Sequence, residues 1–354
     1  MPLTRNRYWI LGAGILLGIV YGLIARLAFG ESGTLASITY LFVTPAALGA
    51  IPLMIVSDDA LRSYRWLVFI PAITLLGLFA TFAALRVEGL MCLVILAAPF
   101  VLAATIGAFL FRLVRLYRRT RNGLAAIIVV GPFLLAPSER LINSPTEIYE
   151  VAREVAVRAP ADVIWNQVIR VESIRPHEYA AGAFQWLGIP RPIEAALSGE
   201  GLGAARTGRF EGGLRLSERI TEWTPYQRVA FSITVEPESI RPVVFDQHVL
   251  TGNYFRFIDA AYEIVPAGGT VRTLRLISRY ELTSNLNFYG RWWGDAILRD
   301  FQDRLLQVIK QRSESLALLS DAAPRSACCA SSSSRETEER VRRSGGDSGA
   351  APDH

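Results

Sequence analysis

Two residues of opposite charge, Arg206 and Glu218, fall on the apolar faces of neighbouring segments in which polar and apolar residues alternate. A period of two is typical of a half-buried strand, so Arg206 points with the apolar side of 201–211 and Glu218 with that of 213–223. Because an unpaired buried charge is costly, we expect the two side chains to pair. The pair could be a structural ion pair, or a polar anchor that orients a ligand or tunes a proton donor.

Two histidines offer proton-transfer chemistry. His177 lies beside Glu178, and His248 follows Asp246 by two residues, which puts the two on one face if the segment is a strand. A histidine–carboxylate pair can act as a general base, but it can equally be a hydrogen-bonded loop cap. Glu178, Glu218 and His248 are therefore the candidate catalytic groups. No third ligand near either histidine suggests zinc and no nucleophile motif is present, so we predict no metal site and no cofactor.

The elements that must position these residues indicate an α+β domain. The segment 153–158 alternates as a strand does, and a short helix follows Asp162. Further alternating segments lie at 200–211, 213–223, 228–235, 254–265 and 271–283, separated by Gly, Pro and Asn. A helix over 287–317 has apolar residues every three or four positions. An antiparallel sheet that curls around this helix would leave a cavity, for which Tyr289 and Trp292 are candidate wall residues, although aromatic stripes are more often plain core.

Long apolar runs fill the first 136 residues. Four of them, at 8–29, 35–56, 66–85 and 89–111, are long enough to cross a bilayer, which takes about 20 apolar residues. A cleaved signal peptide is not expected, since the first run is long and others follow it. No charge lies deep within these spans, and transporters usually carry such charges, so the pattern favours an anchor over a pump or channel.

Arginines beside the spans predict the orientation. Of the 37 basic residues only Lys310 is lysine, which is typical of a GC-rich bacterial genome. Arginine clusters precede span one, separate spans two and three, and follow span four, so the N-terminus is predicted to be cytoplasmic, in a bacterial inner membrane. We therefore attribute the net charge of +5 to the arginines that orient the spans. A nucleic-acid patch at 112–121 is the weaker interpretation.

A fifth apolar run, at 123–136, decides the side on which the rest of the chain lies. It has 14 residues and is interrupted by Pro132, so it could cross the bilayer or be re-entrant. We predict that it crosses, because it holds no charge and follows a cytoplasmic arginine cluster, which would make the domain extracytoplasmic. None of the three cysteines lies in 137–320, so that domain can have no internal disulfide and no cysteine of its own for a metal.

Residues 151–317 resemble the SRPBCC superfamily, the helix-grip fold of START lipid-transfer domains, birch-pollen-allergen-like proteins and polyketide cyclases. The resemblance lies in 155–165 (VAVRAPADVIW), 188–195 (GIPRPIEA), 201–213, 218–223, 246–249 (DQHV) and 287–314. The later blocks are similar to a bacterial subgroup with an N-terminal membrane region. This resemblance implies a hydrophobic ligand cavity but no catalytic mechanism, and it favours Glu178, since family members place polar groups at the cavity mouth there.

These observations predict a membrane region at 1–136, a linker at 137–151, a helix-grip domain at 152–318 and a disordered tail at 319–354. The expected function is a membrane-anchored module that binds a small hydrophobic ligand, lipid or polyketide-like, beside the lipid bilayer. The candidate ligand-binding residues are Glu178, Arg206, Glu218, Tyr289 and Trp292. An enzyme of the cyclase or dehydratase type and a partner-docking protein are the alternatives.

Overall fold

The computed structural model describes residues 5–29, 37–117, 122–139 and 141–322. The described part of residues 5–139 contains six α-helices: α1 (Arg5–Phe29), α2 (Thr44–Ala50), α3 (Asp58–Leu61), α4 (Tyr64–Ala84), α5 (Leu90–Tyr117) and α6 (Asn122–Glu139). We call this part the apolar bundle. Three of its helices, α1, α4 and α5, are long and apolar enough to cross a membrane.

The second apolar run is not one continuous α-helix. A π-helical turn at Thr39–Val43 leads into α2, and a 3₁₀ turn at Ile51–Ile55 follows. Pro45 and Pro52 stand at the starts of α2 and of the 3₁₀ turn, where a missing N–H is tolerated. Within the predicted span at 35–56 the apolar helix Thr39–Ile55 therefore changes its helical type twice.

Glycines let α2 and α5 touch backbone to backbone. A Cβ added to Gly49 would lie 1.9 Å from the carbonyl oxygen of Ala104, and one added to Gly107 would lie 2.0 Å from that of Ala46. Such small residues are what close helix packing in a bilayer requires, because only they allow two backbones to approach this closely. Any larger residue at either glycine would force the two helices apart.

Polar contacts fix the two ends of the apolar bundle. At one end Glu139, the last residue of α6, accepts hydrogen bonds from Ser37 and from the backbone N–H groups of Ile38 and Thr39. At the other end Arg115 of α5 donates to the carbonyl groups of residues 53, 54 and 56 and pairs with Asp58. Because α6 follows α5 in the chain and ends at Glu139, it runs back along the bundle to the end that holds Ser37. Its 18 residues span about 27 Å.

The strands within the described residues 141–322 form one curled antiparallel sheet of seven strands, in the order β1-β7-β6-β5-β4-β3-β2. The strands are β1 (Thr146–Arg158), β2 (Pro192–Leu197), β3 (Ala205–Phe210), β4 (Arg215–Thr224), β5 (Arg228–Val235), β6 (Phe255–Gly268) and β7 (Val271–Thr283). The segment predicted as a linker therefore contains the first half of β1. Strand β2 was not predicted, because prolines and glycines surround it.

Four helices accompany the sheet: α7 (Ala161–Ile169), α8 (Ala183–Trp186), α9 (Val244–Leu250) and the long α10 (Asn287–Ala322). The side chain of Gln302 on α10 donates to the carbonyl oxygen of Val151 and to Ser278, which ties the helix to β1 and β7. Apolar residues of α7, α10 and the sheet share one buried core. A curled antiparallel sheet with a long C-terminal helix is the helix-grip fold. Residues 323–354, including Cys328 and Cys329, lie outside the described residues.

Candidate ligand cavity

A cavity of about 290 Å³ lies between the concave face of the sheet and α10. Its walls are almost entirely apolar, as the side chains of Leu216, Phe231, Ile233, Leu276, Ile297 and Phe301 illustrate. Ligand pockets in proteins commonly measure about 300–1,000 Å³ and combine such walls with a few polar groups. The size therefore fits a small apolar compound rather than a complete two-chain lipid.

The apolar bundle contributes to the wall of this cavity. Ile95 of α5 lines it beside Tyr289 of α10, and the Tyr289 hydroxyl donates a hydrogen bond of 2.6 Å to the carbonyl oxygen of Ile95. Phe245 and Val249 of α9 and Tyr254 complete this side. The helix-grip domain is therefore docked on the bundle, and its cavity is closed in part by a bundle helix.

Arg206 and Glu218 line the cavity on the sheet side. They face each other across β3 and β4, form a salt bridge, and are only 5% and 7% exposed. The Arg206 guanidinium also donates to the carbonyl oxygens of Val168 and Ile169, both at 3.3 Å, and lies 4.8 Å from the centre of the Phe231 ring. With these contacts the arginine is fully engaged by the protein. The expected pairing is present, and its geometry is that of a structural ion pair at a cavity wall.

Burial shifts the pKa values of two acidic groups at this polar spot. Burial raises the pKa of the Glu218 carboxyl above its usual range, and the adjacent Arg206 guanidinium opposes that shift. Burial also raises the pKa of Tyr262, another lining residue, to about 12, so its phenol stays protonated. The spot can therefore give a ligand carbonyl or hydroxyl an orienting contact.

Glu178 lies away from the cavity lining. Its carboxylate accepts two hydrogen bonds from the Arg312 guanidinium, at 2.9 and 2.8 Å, and one from the backbone N–H of Arg175 at 2.7 Å. The Arg312 guanidinium holds the pKa of Glu178 down to about 2. The residue thus clamps its loop to α10, while the neighbouring His177 is exposed. The structure does not bring this pair to a ligand.

The remaining residues that the sequence suggested lie in different parts of the structure. His248 lies on the helix α9 and not on a strand, and Asp246 pairs with Arg241 at 2.7 Å instead of with His248. Tyr289 lines the cavity, as described above. Trp292 is 62% exposed on the outer face of α10, so it is not a wall residue in this structure.

His248 points into the apolar bundle, where it joins a buried polar cluster. The Arg26 guanidinium at the end of α1 pairs with Glu88 at 2.6 Å, and its Nη2 atom lies 3.3 Å from His248 Nε2. The residues Arg26, Glu88 and His248 are each at most 5% exposed. Only a fold could reveal this contact, because the two residues lie 222 positions apart.

The same cluster contains groups that can bind metals. One donor atom each from Glu88, Cys92 and His248 lies within 4.8 Å of the others, and these are ligand types that zinc accepts. The sequence analysis considered cysteine ligands only within 137–320 and so missed Cys92, which the bundle supplies. Arg26 already balances the Glu88 charge and directs an N–H donor at His248, however, and both contacts favour the cluster without a cation.

Comparisons with known proteins give distant structural likeness only. No family model matches the chain, and no curated protein matches it. Norcoclaurine synthase from Thalictrum flavum is 16% identical, with 47% of this chain and 96% of that chain covered and a TM-score of 0.28. The major latex-like protein 151 from Panax ginseng is 11% identical, with 48% and 98% covered and a TM-score of 0.30. A protein from Chromobacterium violaceum is 8% identical, with 47% and 96% covered and a TM-score of 0.31. The assignment of a helix-grip fold stands on the strand order and the long helix of this chain itself.

Proposed function

We propose that this chain is a membrane-anchored binding module that holds a small hydrophobic molecule in the cavity of its helix-grip domain. The observation that carries the proposal is the shared wall, in which Ile95 of a candidate membrane helix meets Tyr289 of the domain. If the bundle were only a tether, we would not expect one of its helices to form part of the cavity wall. The apolar walls suit a lipid-derived or polyketide-like compound.

The arginines support an extracytoplasmic position for the domain in a bacterial inner membrane. The domain contacts the bundle at Arg26 and Glu88, where α1 ends and α5 is about to begin. Arg65, Arg112 and Arg115 belong to the opposite end, at the start of α4 and the end of α5. Arginine-rich ends face the cytoplasm. Alkaline phosphatase fused after residue 318 should be active. If that fusion is inactive, and a reporter that fluoresces only in the cytoplasm is fluorescent at the same position, the orientation is the reverse.

Mass spectrometry of the full chain, purified in mild detergent, tests the binding function. The wild type should release a small apolar compound on solvent extraction. Ala260→Phe, which adds a ring to the cavity wall, should release less of it. Thr207→Phe is the matched control, because Thr207 alternates with the lining residues Arg206 and Gly208 and points to the outer face of β3. Empty wild-type protein that also takes up no added apolar compound would overturn the proposal.

A second candidate function, a cyclase or dehydratase, rests on Glu218. A buried carboxyl with a raised pKa beside an apolar cavity can donate a proton to a bound carbonyl. The salt bridge to Arg206 makes the structural role the stronger one. A turnover defect in Glu218→Gln without loss of folding would favour the enzyme.

A further inference from the structure

The first two turns of α10 have two faces with different surroundings. Cβ atoms on Gly290 and Gly294 would touch Leu282 and Tyr280 of β7, so these glycines mark the face that packs on the sheet. Residues two positions away on a helix lie about 200° around its axis. Phe288 and Trp292 therefore point away from the sheet, and they are 70% and 62% exposed.

The flank next to this aromatic face lies against the apolar bundle. Tyr289 is bonded to Ile95, the sixth residue of α5, about 7 Å along the axis from the start of that helix. The start of α10 therefore lies beside a candidate membrane helix, a short distance along that helix from its first residue. The preceding residue of α5, Val94, is itself 39% exposed, as a lipid-facing position would be.

A second segment, whose continuation contacts the start of α10, also exposes apolar side chains. Leu141 and Ile142 follow the end of α6 directly and are 85% and 61% exposed. This segment stays close to the start of α10, since the Asn287 side chain donates to the carbonyl oxygen of Pro145 at 2.8 Å. On the remaining flank Arg291 lies over the Tyr149 ring with its side chain 56% exposed, which suits the head-group level of a bilayer.

We propose that Phe288 and Trp292 insert into the interfacial layer of the bilayer that holds the apolar bundle. Tyr289 and Trp293, on the neighbouring flank, line the cavity. The same two helical turns thus lie between lipid and the cavity. Tryptophan favours this layer, because its ring is apolar while its N–H can reach water, and Phe288 adds apolar area beside it. The inference rests on the proposed function, since it requires the bundle to lie in a membrane.

Photocrosslinking of the full chain in lipid nanodiscs tests this contact. p-Benzoylphenylalanine replaces Phe288 or Trp292, and lipid adducts are measured by mass spectrometry after illumination. Leu76, which is 70% exposed in the middle of α4, is the control for the membrane region. Tyr226, an exposed aromatic residue in the turn between β4 and β5, is the control for the far end of the domain. Gel filtration verifies that each variant is folded.

Lipid adducts at both 288 and 292, at a level near that of position 76 and well above that of position 226, are the expected result. Absence of lipid adducts at either position, while position 76 is labelled, would overturn the inference and leave the proposed function intact. Adducts with a second protein chain would overturn it in favour of a protein contact. No lipid adduct at position 76 would remove the membrane anchor and, with it, the proposed function.

Discussion

The guanidinium of Arg26 and the carboxylate of Glu88 lie 2.6 Å apart in a buried salt bridge, and His248 of the helix-grip domain contacts the same arginine. The bridge joins the end of α1 to the loop before α5, and the histidine extends the network into α9. Three separate parts of the chain therefore meet at one charged centre. This centre fixes the domain on the bundle and so fixes the shared wall of the cavity.

Removing one partner of this bridge should destabilise the protein strongly. Glu88→Gln leaves a buried arginine without its counter-charge, and such a loss typically costs about 3–5 kcal/mol. The measurement is the free energy of unfolding of the full chain by denaturant in mild detergent. Arg170→Gln, which breaks the exposed pair with Glu200, is the control and should cost less than about 1 kcal/mol. Equal effects of both variants would show that the buried bridge does not hold the domain.

The ion pair in the cavity should behave as a structural unit. Glu218→Gln leaves Arg206 buried and charged, so we expect a loss of about 3 kcal/mol in the free energy of unfolding. The double variant Arg206→Met, Glu218→Leu should recover most of that loss, since apolar side chains can replace a buried pair. Chemical denaturation of both variants distinguishes the roles. If Glu218→Gln is as stable as the wild type but no longer retains ligand, the pair is a ligand anchor instead.

The clamp between Glu178 and Arg312 should make stability depend on pH in the acid range. The folded-state pKa of Glu178 is about 2, below the usual value of about 4.3. The clamp therefore contributes its full stability above about pH 5 and loses it as the pH falls towards 2. Glu178→Gln should cost about 1–2 kcal/mol at pH 7, after allowance for solvent screening. The difference from the wild type should shrink towards pH 3, and a constant difference would contradict the clamp.

The sequence predicts these contacts to different extents, for physical reasons. Arg206 and Glu218 were expected to pair because each falls on the apolar face of an alternating strand, and the register of β3 and β4 places them opposite each other. Alternation describes one strand at a time, so it could not show that Arg206 also binds carbonyl groups of α7.

No local sequence pattern predicts the contacts between the apolar bundle and the helix-grip domain. The short segment around His248 fits a strand or a helix equally well by sequence, and its partner Arg26 lies 222 residues away. Trp292 shares a helix with Tyr289, but the two point in different directions, and only the packing on β7 tells which one meets the cavity. Docking of the domain on the bundle decides the first case, and packing of α10 on the sheet decides the second.

The most direct test of the account compares two neighbouring residues of α5. Ile95 lines the cavity, whereas Val94 is 39% exposed on the surface of the bundle. Ile95→Trp should fill the cavity from the side of the apolar bundle, and the full chain purified in detergent should then carry much less extractable apolar ligand than the wild type. Val94→Trp should leave the ligand content unchanged. Equal ligand content in both variants would contradict a cavity wall that is formed in part by a candidate membrane helix.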